Sequence, residues 1–243
     1  MSFLSVSFRS ETLHFKQPAG TSRGVYHERR VWYVEVRGEQ TTGGLSRSLY
    51  GIGECAPLPD LSCDDPARYE EVLAQACRHL QQTGEIPFEM LQSFPSILMG
   101  LETALRSYHA CLVGGSPFRL YDSPFTRGEQ SIVINGLIWM GNYEEMAARV
   151  EEKVAAGSSC IKLKIGAIDY AQERRLIEHL RSRFSPAQLQ IRLDANGEFS
   201  PQLAEERLAD LAPFSIHSIE QPIAAGGWEA MADLCRHSPI PIA

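Results

Sequence analysis

From Ser131 onward the chain alternates apolar runs with amphipathic stretches at a spacing of about 30 residues. No other feature restricts the fold as much. "SIVINGLIWMG", "SCIKLKIG", "QLQIRLDANG" and "SIHSIEQP" read as strands, and "PIPIA" begins a fifth. Between them, "NYEEMAARVEEKVAAG", "DYAQERRLIEHLRSRF", "SPQLAEERLADLAPF" and "GWEAMADLCRHS" have helical apolar spacing. The punctuation agrees: Asn142, Asp169 and Ser200 can cap, Pro201 suits a first helical position, and Gly157 can stop a helix. Strand–helix repeats of this kind predict an α/β fold with a parallel sheet and right-handed crossovers.

The residues before this repeat read as an α+β module. "LSVSFRSETLHF", "RRVWYVEVRG" and "SRSLYGIGECAPLP" are expected to be antiparallel strands, with a turn at "QTTGG". Two helices should come next. The first opens at Asp64, Asp65 and Pro66; the second is "FPSILMGLETALRSYHACLVGG", closed by Gly114 and Gly115. The expected boundaries are 1–125 for this module and 126–243 for the repeat.

Charge falls late in the repeat strands: Lys162 and Lys164, then Arg192 and Asp194, then Glu220. Alternation puts each set on one face, with apolar residues on the other. A doubly wound sheet favours uniformly apolar strands, whereas a barrel lets one face point inward. The expected fold is therefore a partial TIM-type (β/α) barrel, about its first half, behind an N-terminal α+β capping domain. An eight-stranded barrel takes about 250 residues by itself. Half a barrel leaves two open edges. The expectation is that the chain is a fragment of a longer protein, or else that another copy covers those edges in a homo-oligomer.

Asp194 and Glu220 close consecutive strands. Two carboxylates on neighbouring strand ends can share a hard divalent cation such as Mg2+, and without one they would repel until one held a proton. "DANG" and "IEQP" taken singly are ordinary turn and strand-end sequences. In succession they favour a site. Lys162 and Lys164 on a central strand have no solvent face to occupy. Mutual repulsion and partial burial should each lower a lysine pKa, which would let one act as a general base.

Composition excludes other classes. The 243 residues carry a net charge of −7 and no basic run, against nucleic-acid binding. No apolar stretch is long enough for a bilayer and the N-terminus does not read as a signal peptide, so the cytoplasm is the expected location. The six cysteines are scattered, without zinc spacing, and should be reduced and structural. No HExxH pattern occurs, and His217, among isoleucines, is expected to pack rather than ligate.

"IKLKIG", "IRLDANGEF" and "SIEQP", in this order, resemble the enolase superfamily. The Lys-x-Lys is similar to that of its muconate-lactonizing-type subgroup. "GIGECAPLPDLSCDD", "PSILMGLETALRS" and "INGLIWMG" resemble its dehydrating members more than its epimerases. The resemblance implies a small carboxylate substrate. Lys164 would take the α proton and return it to a departing hydroxyl, and Lys162 would tune Lys164. Asp194 and Glu220 would ligate Mg2+, with Arg192 and Asn196 in support. Loops around 19–24 and 53–58 would close over the substrate. It also implies a third metal ligand and an opposing lysine beyond Ala243, so the polypeptide alone is expected to be inactive or nearly so. An epimerase or racemase of the same superfamily, and a non-catalytic half-barrel assembly module, stay open as alternatives.

Overall fold

The computed structural model describes residues 4–21, 24–166 and 168–243. They fall into two compact units, Met1–Ile132 and Val133–Ala243.

In the first unit, β1 (Ser5–Thr21), β2 (Gly24–Thr42) and β3 (Leu45–Cys55) form an antiparallel sheet in that order. The β2–β3 turn is Gly43–Gly44, both at positive φ, as a tight two-residue hairpin requires. Trp32, Val34 and Val36 alternate onto the buried face of β2. Helices α1 (Tyr69–Thr83), α2 (Phe88–Leu91) and α3 (Pro95–Leu112) complete the unit. α3 meets β3 backbone to backbone. A Cβ on Gly53 would clash with the Gly100 carbonyl oxygen, and one on Gly100 with Cys55 Sγ. α3 ends as expected, with the Gly114 and Gly115 amides donating to the Cys111 and Ala110 carbonyls.

Three details differ from the sequence reading. α1 begins at Tyr69, not at Pro66. Asp65 instead accepts the Ala67 amide in a local turn, and Asp64 accepts the Ser96 amide and hydroxyl at the start of α3. A capping carboxylate serves whichever orphan amides the fold brings to it. The short α2 gave no periodic signal, because four residues are too few to show one. Of the expected 19–24 loop, 19–21 and 24 pair in β1 and β2, while 22 and 23 lie outside the described residues.

The second unit runs β4 (Gly136–Ile138), α4 (Tyr143–Ala155), β5 (Cys160–Lys164), α5 (Tyr170–Arg183), β6 (Gln190–Asp194), α6 (Pro201–Leu211), β7 (Ser218–Glu220) and α7 (Trp228–His237). The four strands are parallel and adjacent in chain order. Asn142 forms a capping box with Glu145, Asp169 accepts the Ala171 amide, and Ser200 accepts the Leu203 amide. Ile161, Leu163, Ile191, Leu193 and Ile219 are buried in one core with Val150, Leu176, Ile177 and Leu208 from the helices. Beside β7, Ile242 forms a parallel bridge with Ile219. Arg181 ties α5 to the segments on either side of β6, donating to the carbonyls of Phe184, Leu189, Phe214 and Ser215.

The expected strand over "SIVINGLIWMG" shrinks to three residues. Ile132, Val133 and Ile134 are exposed, because only Gly136–Ile138 find partners, on Ile161–Leu163. His217 is not packed: it precedes β7 and is exposed, its Nδ1 3.0 Å from Ser218 Oγ. All six cysteines are free. Cys55, Cys77, Cys111 and Cys160 are buried, whereas Cys63 and Cys235 are exposed and have no packing role.

Candidate active site

β5, β6 and β7 end in step. Lys164 is the register partner of Asp194, and Asp194 of Glu220, so all three side chains leave the C-terminal edge of the sheet in one row. One step back, Lys162 pairs with Arg192 in register and shares the face of Lys164. Apolar packing on the opposite face fixes this register, since a slip of one residue would bury the lysines among Leu176 and Leu208.

Asp194 is the buried centre of the group, only 1% exposed. Its Oδ2 accepts from Lys164 Nζ at 2.9 Å and from Lys162 Nζ at 3.0 Å. Its Oδ1 accepts the Asn196 amide at 3.1 Å. Lys162 Nζ also donates to Glu220 Oε2, and Lys164 Nζ to Asn196 Oδ1 at 2.9 Å. Each ammonium thus faces a carboxylate, and the buried charges are paired.

This pairing reverses the expectation of a lowered Lys162 pKa and rules Asp194 out as the carboxylate that holds a proton. Burial alone would lower the Lys162 pKa, but hydrogen bonds to Glu220 and Asp194 and their charges outweigh it, and the pKa stands above the ordinary lysine value. Burial alone would raise the Asp194 pKa, but the hydrogen bonds from Lys164 and Lys162 hold it below the ordinary carboxylate range. So Lys162 is not depressed by its like-charged neighbour, and Asp194 does not hold a proton. The alternation in the sequence shows that two lysines share a face; it does not show that the next strand supplies their counter-charge.

The donor set suits a hard divalent cation. The single Lys162 ammonium touches both Asp194 Oδ2 and Glu220 Oε2, so two carboxylate oxygens converge on one cation-sized position. No group of three His, Cys, Asp or Glu side chains gathers there among the described residues. A cation held by these oxygens would compete with the ammoniums for them.

Around this row the loops are fixed by backbone contacts. Asn196, two residues past β6, sits at φ 50° and Gln221, directly after β7, at φ 42°, both left-handed non-glycine positions. The Gly197 amide donates to the Gln221 carbonyl at 2.7 Å, which locks the two turns together. The buried Glu173 of α5 accepts the Gly166 amide at 2.7 Å and holds the turn after Lys164. Arg192 is not drawn to the carboxylates; its Nε donates to Gln190 Oε1 at 3.1 Å. Sequence reading missed Glu173 and Gln221. A glutamate in the first turns of a helix reads as a solvated charge, and only the position of Gln221 before Pro222 hints at a special conformation.

The family described as "Enolase C-terminal domain-like" matches residues 145–243. Over 274 aligned residues the chain is 39% identical to the o-succinylbenzoate synthase of Desulfotalea psychrophila (strain LSv54 / DSM 12343), covering 100% of this chain and 71% of that protein. The chain belongs to the enolase superfamily. The crystal structure of MenC from Desulfotalea psychrophila LSv54 superposes with a TM-score of 0.76 at 33% identity, covering 99% of this superfamily member and 70% of that chain. The o-succinylbenzoate synthase of Thermosynechococcus elongatus BP-1, complexed with Mg in the active site, superposes with a TM-score of 0.71 at 21% identity, covering 98% and 67%. An L-amino acid-D/L-Glu epimerase of Francisella philomiragia is 25% identical over 173 residues, or 70% of this chain and 47% of the epimerase. The α/β fold is that of the superfamily. Among the described residues no helix is long and apolar enough to cross a membrane.

Proposed function

We propose that the protein carrying this chain is an o-succinylbenzoate synthase of menaquinone biosynthesis. It would dehydrate 2-succinyl-6-hydroxy-2,4-cyclohexadiene-1-carboxylate in a syn elimination. The observation that carries this reading is the 39% identity to a protein of that name along the whole chain. In this reading the four parallel strands are the first strands of a (β/α)8 barrel, and the first unit is its cap.

Lys164 would remove the proton α to the substrate carboxylate and then deliver it to the departing hydroxyl, so that water leaves and the ring becomes aromatic. Lys162 would hold positive charge beside Lys164 and keep Asp194 ionised. Asp194 and Glu220 would hold Mg2+, which when bound supplies positive charge to the substrate carboxylate as negative charge builds on it. Asn196 Oδ1, already bonded to Lys164 Nζ, would orient the amine.

In the protein that carries this chain, Lys164→Ala should lower the rate of dehydration by about a thousandfold or more. Mg2+ binding, measured by calorimetry, should persist. Near-normal turnover would sink the assignment. A second reading, epimerisation of dipeptides, draws on the similarity to the Francisella epimerase. Assaying the dehydration beside exchange of the α proton of L-Ala-L-Glu separates the two.

A further inference from the structure

The charged row of the second unit has a fourth position, on β4. Ile138 is the register partner of Leu163, and both are buried on the face that packs against the helices. Leu137 pairs with Lys162 and shares the opposite face. By the same alternation Trp139, next after Ile138, stands level with Lys164 and on the face of both lysines. The row at the C-terminal edge of the sheet therefore reads Trp139, Lys164, Asp194, Glu220, with about 5 Å between neighbouring strands.

Trp139 does not pack in the core. It is absent from the apolar cluster of the unit and is 39% exposed. Its indole has no hydrogen-bond, ring or cation partner among the described residues. Nor is it a loose end. Arg149 of α4 donates to the carbonyls of Trp139 and Met140, at 3.0 Å each, and pins the backbone where β4 stops. An indole is a large, flat apolar face. Here it is held in place and left open beside the amine that would act as base.

We propose, resting on Lys164 as the base of the proposed dehydration, that Trp139 is a specificity-determining residue. Its indole lies against the ring of a cyclic, unsaturated carboxylate whose α carbon faces Lys164. A ring carbon brought to Lys164 Nζ carries the rest of its ring toward the adjacent strand, because lysine and tryptophan side chains extend to similar depths. Flat π faces favour offset or edge-on contact with each other. An open-chain dipeptide offers no such face. Trp139 therefore selects for dehydration of a ring over epimerisation of a dipeptide.

The test is steady-state kinetics of the dehydration in the protein that carries this chain. Trp139→Ala should raise KM about tenfold and leave kcat within about twofold, because the contact is made in the ground state and the transition state alike. Trp139→Phe should restore most of the loss. Trp228→Ala removes an exposed indole that is not on the row and should change neither constant. Should Trp139→Ala fail to fold, Trp139→Leu keeps an apolar side chain, removes the ring and reads the same split. Benzoate gives a readout without turnover. It should change the indole fluorescence of the wild type and not that of Trp139→Phe, whereas acetate should change neither. If benzoate gives this signal and no dehydration occurs, the synthase reading falls and the role of Trp139 stands. If dehydration proceeds and Trp139→Ala keeps its KM, or loses kcat alone, the role of Trp139 falls and the synthase reading stands. Equal damage from Trp228→Ala, or no benzoate signal in the wild type, also overturns that role.

Discussion

Lys164 and Asp194 are register partners at the last positions of adjacent parallel strands, and Nζ of one stands 2.9 Å from Oδ2 of the other. The same Oδ2 also meets Lys162 Nζ at 3.0 Å, so one buried carboxylate oxygen serves both lysines. A cation held by the oxygens of Asp194 would displace the ammoniums, so metal binding and ion pairing should be coupled.

That coupling is measurable in Mg2+ affinity. Lys162 competes for both carboxylates, so Lys162→Met should tighten Mg2+ binding, by about tenfold, as loss of a charge-assisted hydrogen bond to those oxygens implies. Asp194→Asn and Glu220→Gln should weaken it. Isothermal titration on the folded variants reads both directions, and an unchanged affinity in Lys162→Met would break the link.

The pH dependence of stability in metal-free buffer comes from the two shifts. Asp194 has a depressed pKa when folded, so its stabilisation is present above the unfolded value, about 3.9, and is lost as pH falls through the lower folded value. Lys162 has a raised pKa when folded, so its contribution is present below about 10.4 and is lost as pH rises through the higher folded value. The difference in Tm between wild type and Asp194→Asn should therefore be widest at neutral pH and close in strong acid. A gap that widens in acid would contradict the pairing.

Glu173 should act on the turn after Lys164. Glu173→Ala leaves the half-buried Gly166 amide without its acceptor and should cost about 1 kcal/mol. Hydrogen exchange should quicken first at Gly166, before the amides of β5. Uniform loss of protection across the unit would instead mean that Glu173 only supports the core.

Gly53 should tolerate no side chain. Gly53→Ala must push α3 away from β3 and should destabilise the first unit by about 3 kcal/mol, near the upper end for overpacking. Denaturant unfolding monitored by Trp32 fluorescence checks it.

Thiol labelling tests the burial pattern. At pH 8, Cys63 and Cys235 should react quickly with a disulfide reagent, and the four buried thiols only after unfolding. Burial pushes the Cys55 and Cys77 thiols up to about 12, which removes the reactive thiolate as well as access. More than two fast-reacting thiols would show that one of the units opens.

The sequence by itself determined the order of elements, the caps and the face on which the chemistry sits. Asn142, Asp169 and Ser200 cap because their acceptors lie within reach of amides two or three residues on, and Lys162 and Lys164 share a face because strand geometry alternates. These are local facts, fixed by neighbours along the chain. Tertiary structure alone decided who pairs with whom. It brought Asp194 and Glu220, 30 and 58 residues distant, to the lysines and so raised Lys162 where the sequence argued for lowering it. It sent Asp64 to α3 rather than α1, and turned Glu173 back onto Gly166. Electrostatic and hydrogen-bond partners are set by distance in space, and the strand register that fixes those distances comes from burial of the opposite, apolar face.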